Sequence, residues 1–281
     1  IRDSYYSTAK PRLGGIGCDP LVVTTHEGRP TKLDGNRLHP AVGGGSSAYT
    51  QASILDLYDQ DRSKGFLKKG QGTIRADFEE SFLKPFREKK SGAKTALLLS
   101  PSTSPTRKAL LDDVAKQYAG LKVFTYEALA PAGQTKAADE LYGPGIVSVV
   151  DFSKTRRVLS LDCDFLGLEP VGEDSFAEFA ATRKVDKGQE PGRLYAVEPA
   201  FTLTGGMADH RYRIAPSQIL GVVALLAKAV GEALGDAELG SLAGGVLAKV
   251  TVPVFNGPWI KECAADLASA KGAALVVAGG R

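Results

Sequence analysis

The chain has 281 residues, long enough to bury a sizeable core as one large or two modest domains. With 35 Lys and Arg against 32 Asp and Glu, the net charge is only +3 and the signs are interspersed, so the chain as a whole has no electrostatic footprint for nucleic acid or anionic lipid. Its three cysteines, Cys18, Cys163 and Cys263, lie far apart without paired or metal-type spacing, which excludes a disulfide framework and a zinc site.

In chain order, residues 1–90 carry hairpin chemistry. Short strands are predicted at Leu21–Thr25 and around Thr31–Leu33, either side of a Gly28-Arg29-Pro30 turn, and a Gly43-Gly44-Gly45-Ser46-Ser47 crossing follows. Ser53–Tyr58 and Ala76–Lys89 read as short helices, and Lys64–Gly72 as a polar connection. From Ala93 strands and helices alternate. Thr95–Ser100 is a short apolar run; Ser104 can cap a helix with Pro105 in its first turn, and Leu110, Leu111, Val114 and Tyr118 follow at helical spacing.

Strands are then expected at Lys122–Thr125, Val158–Leu161 and Leu194–Val197, with helices over about 174–183, Ser217–Leu234 and Trp259–Ala270. The most apolar segment, Ile219–Val230, is interrupted by Lys228 and reads as a buried helix rather than a membrane span. Gly272–Gly280 looks like a buried parallel strand entering a glycine turn, the usual approach to a crossover helix, so the chain is expected to be part of a longer one. It opens at Ile1 with no signal peptide. The expected fold is α/β, a mostly parallel sheet flanked by helices over 91–281, with a small hairpin-containing region over 1–90.

In an open parallel sheet, ligands bind outside the carboxyl ends of the strands, so the turns there are where function would reside. One reads Leu161-Asp162-Cys163-Asp164-Phe165. Asp162 and Asp164 are expected to make turn and capping hydrogen bonds, with a metal-binding or acid–base pair as the alternative. A second turn runs from Glu198 to Ile219. The third, Ser100–Thr106, offers helix capping by Ser104 or an anion site. His26, His39 and His210 have no metal-ligand spacing, and there is neither a nucleophile elbow nor a P-loop. Cys18 is expected to be a small core residue.

Ser4-Tyr5-Tyr6, the Gly28-Arg29-Pro30 and Gly35-Asn36 hairpin, Asp56-Leu57-Tyr58-Asp59, Leu159–Leu166 and Gly205–Arg211 together resemble the molybdopterin oxidoreductase superfamily. Within it they are most similar to the molybdopterin-like B subunits of alternative complex III, a bacterial quinol-oxidising assembly. The resemblance implies that Ser47 stands where catalytic relatives carry the fourth cysteine of a 4Fe–4S cluster, with Cys18 about one residue out of register with the third. It implies that Asp162 replaces a glycine of a Gly-x-Asn-Pro turn against a dinucleotide pyrophosphate, adding bulk and negative charge together with Asp164. It also implies that Ala208-Asp209 is retained while Ile219 stands where an acid would contact guanosine.

Catalytic, cofactor-binding and metal residues are therefore expected to be absent, and Ser47, Asp162, Asp164 and Ile219 to be degenerate positions. The function implied is a non-catalytic scaffold domain supporting electron transfer from quinol to a periplasmic acceptor. Iron–sulfur clusters are expected in a C-terminal part or partner subunit, and the partners are cytochrome-type and integral membrane subunits. The location implied is the periplasmic face of the inner membrane, peripheral and without a span of its own, after export on a twin-arginine signal not present in this chain. The alternatives are an active molybdopterin-dependent oxidoreductase subunit and a small-molecule-binding α/β domain.

Overall fold

The computed structural model describes residues 3–11, 18–40, 43–89, 91–128, 131–146, 148–169, 175–185, 190–250 and 257–280. β1 (Asp3–Pro11), β2 (Cys18–His26) and β3 (Arg29–Gly35) form an antiparallel sheet in that order. Glu27 and Gly28, with φ of 52° and 81°, make the two-residue reversal between β2 and β3, a geometry whose twist matches that of the flanking strands. The expected hairpin is these two strands. β1 is an additional strand whose alternating Tyr, Ser and Thr show no apolar face to reveal it.

α1 (Ala48–Ala52) follows, then a second hairpin, β4 (Phe66–Lys68) and β5 (Gln71–Thr73), within the segment expected to be a polar connection. The helix expected over Ala76–Lys89 is interrupted. α2 (Arg75–Phe78) and α3 (Lys84–Lys89) are joined by a π-helical turn over Glu79–Leu83, immediately before Pro85, which has no N–H to donate. β6 (Ala96–Leu99), α4 (Pro105–Gln117) and β7 (Lys122–Thr125) form a parallel βαβ unit. Its two strands make a sheet of their own. The chain accordingly divides into compact units near residue 130 rather than 90: Ile1–His39 with Ser46–Ala130, and Pro40–Gly45 with Pro131–Arg281.

The second unit begins with α5 (Ala132–Tyr142), then β8 (Arg157–Leu161), α6 (Ser175–Thr182), β9 (Arg193–Glu198), the short α7 (Leu203–Met207) and β10 (His210–Arg213). α8 (Pro216–Leu234), α9 (Ala237–Leu247), α10 (Gly257–Ser269) and β11 (Ala274–Ala278) complete it. All four strands are parallel, in the order β10-β9-β8-β11. Period-two alternation sends Leu159, Leu161, Tyr195 and Val197 to one face, where they meet Val222 and Leu226 of α8 and Ile260, Cys263 and Leu267 of α10. Val158, Leu194 and Val277 face the other side and pack with Phe152, Phe165 and Phe179. The fold is thus α/β, parallel strands flanked by helices with a small antiparallel N-terminal region, as the alternation of elements predicts.

Two expectations change. α5, α7, α9 and β10 are elements the sequence reading left as loop: α7 and α9 are glycine-rich, β10 has four residues, and α5 buries none of its own. The last strand is only partly buried: β11 lies at the sheet edge, with Val277 buried but Val276 55% exposed. α8 forms where the helix was expected, and by length and composition alone it could cross a membrane, with a mean hydropathy of 1.5. Its buried Val222, Ala224 and Leu226 are nonetheless packed as in a core helix, beneath the sheet.

Candidate functional site

After β8 the chain moves through β9 to β10 on one side, then returns through α8, α9 and α10 to place β11 on the other. In open α/β sheets such a reversal, here between β8 and β11, marks the carboxyl-end region where ligands bind. Asp162 leaves β8 with φ of 48°, in the left-handed region. Its N–H donates to Val197 O at 2.8 Å, and Gly279 N donates to Leu161 O at 3.0 Å. A side chain on Gly279 would overlap the Asp162 carbonyl, so only glycine permits β11 to approach this turn.

Asp164 is buried within its own turn. Its Oδ1 accepts from Thr204 N and Thr204 Oγ1, both at 3.0 Å, and its Oδ2 accepts from Leu168 N at 3.1 Å. Four further amides of the turn are engaged: Asp164 N donates to Glu169 Oε2 at 3.1 Å, Leu166 N to Thr204 Oγ1 at 3.0 Å, and Gly167 N and Glu169 N to Asp164 O at 2.9 and 3.0 Å. The turn after β8 is thereby tied to α7, and this is the work Asp164 does. Among the described residues no group of three His, Cys, Asp or Glu side chains could hold a metal ion.

The turn after β9 is organised by a pair that sequence reasoning missed. Glu198, 3% exposed, accepts from Arg211 Nε and Thr202 Oγ1, both at 2.6 Å. Thr202 caps α7 by accepting from Gly205 N at 3.0 Å, and a Cβ on Gly205 would overlap Glu198 Oε1. Arg211 lies over the Phe201 ring at 4.8 Å. The available signal was an acid ending an otherwise apolar strand, since a buried carboxylate requires a partner.

Asp209 holds the start of β9, accepting from Arg183 Nη2 at 2.9 Å and Leu194 N at 2.8 Å. Burial alone would raise its carboxyl pKa, but the bonds from Arg183 and the Leu194 amide outweigh this and hold it below the usual range. Ile219 packs against the α8 and α10 core rather than facing a ligand. Beside it Pro199, Tyr212, Arg213, Ile214, Ala215 and Gln218 line an open groove of about 440 Å³ at the carboxyl ends of β9 and β10.

At the opposite, amino end of the sheet a second missed network joins α10 to β8 and β9. Asp266 Oδ1 accepts from Arg157 Nε at 2.7 Å, and Oδ2 accepts from Arg193 Nη1 and Tyr195 OH, both at 2.8 Å. Burial, reinforced by its bond to Asp266, pushes the Tyr195 hydroxyl up to about 12, and burial beside the same charge does likewise for the Cys263 thiol. Burial would raise Asp266 itself, yet Arg157 and Tyr195 bring it below its usual range.

In the N-terminal unit, Ser47 caps α1, its Oγ accepting from Thr50 N at 3.1 Å and donating to Thr50 Oγ1 at 3.0 Å. The buried Thr50 hydroxyl in turn donates a hydrogen bond to Oδ2 of buried Asp19. Cys18, beside Asp19, is exposed rather than in the core: Asp19, not Cys18, is the residue buried at the start of β2. Of the Ser7–Cys18 segment, where the resemblance puts the three upstream cluster ligands, Ser7–Pro11 belong to β1, Cys18 opens β2, and residues 12–17 lie outside those described. Ser104 caps α4, accepting from Arg107 N at 3.2 Å. His210 stacks on Tyr195 at 5.0 Å between ring centroids.

No family model matches the chain, and no curated protein matches its sequence. Among solved structures it is similar to acetylene hydratase from Pelobacter acetylenicus, with a TM-score of 0.55 and 12% identity over 97% of this chain. This chain spans only 38% of that one. At such identity the likeness concerns the fold, which is consistent with a molybdopterin-oxidoreductase-like architecture.

Proposed function

We propose that this chain is a non-catalytic, molybdopterin-oxidoreductase-like scaffold domain that works by contact within a membrane-bound, quinol-oxidising assembly of the alternative complex III type. The observation carrying this reading is the turn after β8. A pyrophosphate is held by free backbone N–H groups, often at a glycine-rich turn. Here the amides of Asp164, Leu166, Gly167, Leu168 and Glu169 all donate to protein oxygens, and two carboxylates stand where a dianion would need donors. Two like charges about 4 Å apart repel by roughly 4 kcal/mol at an intermediate dielectric.

The residues present do not fit a pterin dinucleotide in this turn. Nor do they fit a 4Fe–4S cluster, which needs four thiolates, because Cys163 and Cys263 are buried in the two cores of the sheet and Ser47 is a helix cap. In this reading the iron–sulfur clusters belong to a further C-terminal part or a partner subunit. Cytochrome-type and integral membrane subunits are the partners, and the domain sits peripherally on the periplasmic face of the inner membrane after twin-arginine export.

The test is Asp164→Asn in the complete assembly, which keeps the side chain's size while removing the charge and one of the two acceptor oxygens. Quinol oxidation is expected to stay within about two-fold, whereas a hundredfold loss in an intact complex, about 2.7 kcal/mol of barrier, would show that the turn takes part in chemistry.

A further inference from the structure

Whole-chain charge balance conceals a local block. Between Asp61 and Asp77 the sequence carries Arg62, Lys64, Lys68, Lys69 and Arg75 and no acidic residue. This segment is the β4–β5 hairpin with its approaches, reversed at Lys69 and Gly70, whose φ values are 54° and 81°. Arg75 pairs with Glu79 at 2.7 Å, while Arg62, Lys64, Lys68 and Lys69 have no acidic partner among the described residues.

The same hairpin is apolar. Leu67 is 74% exposed and Ile74 64%, and Phe66 projects from the opposite side of the ribbon to Leu67. Phe66, Phe78 and Phe82 stack in a row, with ring centroids 6.0 and 5.4 Å apart, and all three remain partly open to solvent. The stack partly covers the Phe66 side and leaves Leu67 on the other side uncovered, and a two-stranded ribbon is marginal by itself in water.

We infer that the β4–β5 hairpin is a lipid-binding element, its lysines meeting anionic phospholipid headgroups and Phe66, Leu67 and Ile74 entering the upper acyl region. Charge complementarity points to an anionic surface. A bilayer suits it better than an acidic protein because lysines on flexible stems reach a fluid array of headgroups without the fixed geometry that arginine forks impose, while the exposed Leu67 and Ile74 can enter the apolar layer beneath them. This inference stands apart from the scaffold reading, because the vesicles that test it contain no other subunit.

Flotation of the purified chain with vesicles of about one-third phosphatidylglycerol in phosphatidylcholine tests it, with pure phosphatidylcholine as the neutral arm. The chain is expected to float with the anionic vesicles alone and to be released as salt approaches 1 M, where screening reaches about 3 Å. Lys64→Gln, Lys68→Gln and Lys69→Gln together should lower partitioning by about a hundredfold, roughly five-fold for each cation removed. These side chains are exposed and have no ion-pair partner among the described residues, so the described fold does not depend on them. Leu67→Ser, with the charge intact, should weaken binding several-fold by removing the inserted group. Equal recovery with neutral and anionic vesicles, or undiminished binding of the triple variant, would overturn the inference. So would capture by an acidic protein without any vesicle binding.

Discussion

The chain contains two parallel strand pairs of similar apolar sequence and opposite surroundings. In β8 every residue is buried, and in β9 all but Arg193 are. In β6, by contrast, exposed and half-buried residues alternate, and β7 is exposed throughout, with Leu98 at 71% and Phe124 at 52%. β8 and β9 have α6 on one face and α8 and α10 on the other, whereas α4, which links β6 to β7, buries none of its own residues. An apolar strand becomes core only when a second layer covers each of its faces, which is why parallel sheets need helices on both.

Truncations should separate the two pairs sharply. Phe165→Ala, at a fully buried ring stacked 4.6 Å from Phe152, should cost about 3–5 kcal/mol in urea unfolding, against less than about 0.5 kcal/mol for Leu98→Ala. Similar costs at both sites would break the comparison.

Within the covered sheet, a second contrast concerns glycines. Gly205→Ala should drive Glu198 off Arg211 and cost about 3 kcal/mol, the usual penalty for breaking a buried ion pair. Gly244→Ala in α9 meets open space and should stabilise by about 0.5–1 kcal/mol through helix propensity. Thermal unfolding of the two variants measures the difference, and a neutral Gly205→Ala would mean that the pair relaxes without loss.

The smallest expected effects are those of pH. Tyr195 titrates at about 12 in the folded chain against 10.0 ordinarily, so between these values the folded state binds more protons than the unfolded, and stability falls as pH rises. Asp209 and Asp266 are lowered from 3.8, so their contribution is present above that value and is lost as pH falls through their folded-state values. Urea midpoints should decline on both limbs, and Tyr195→Phe should make the alkaline limb shallower, leaving the part due to Cys263, and also weaken the acid limb by removing a bond that holds Asp266 low. An unchanged alkaline limb in that variant would exclude Tyr195 as its source.

What the sequence by itself determined was local. The βαβ alternation, a reversal at Gly28, though over Glu27-Gly28 rather than into Arg29-Pro30, and the Ser104 cap were legible because each depends on neighbours within a few residues. The acidic turn after β8 was visible as an oddity, but its meaning was not, since Asp164 finds Thr204 forty positions away. Tertiary structure alone decided that β11 lies beside β8 at the sheet edge, and that Glu198 meets Arg211. It also decided that Asp266 joins Arg157 across 109 positions, and that Cys18 faces outward while Asp19 is buried. Periodicity states which side of an element is apolar, but which layer covers that side follows from the order in which strands assemble. A buried charge is stable only where that order brings its partner.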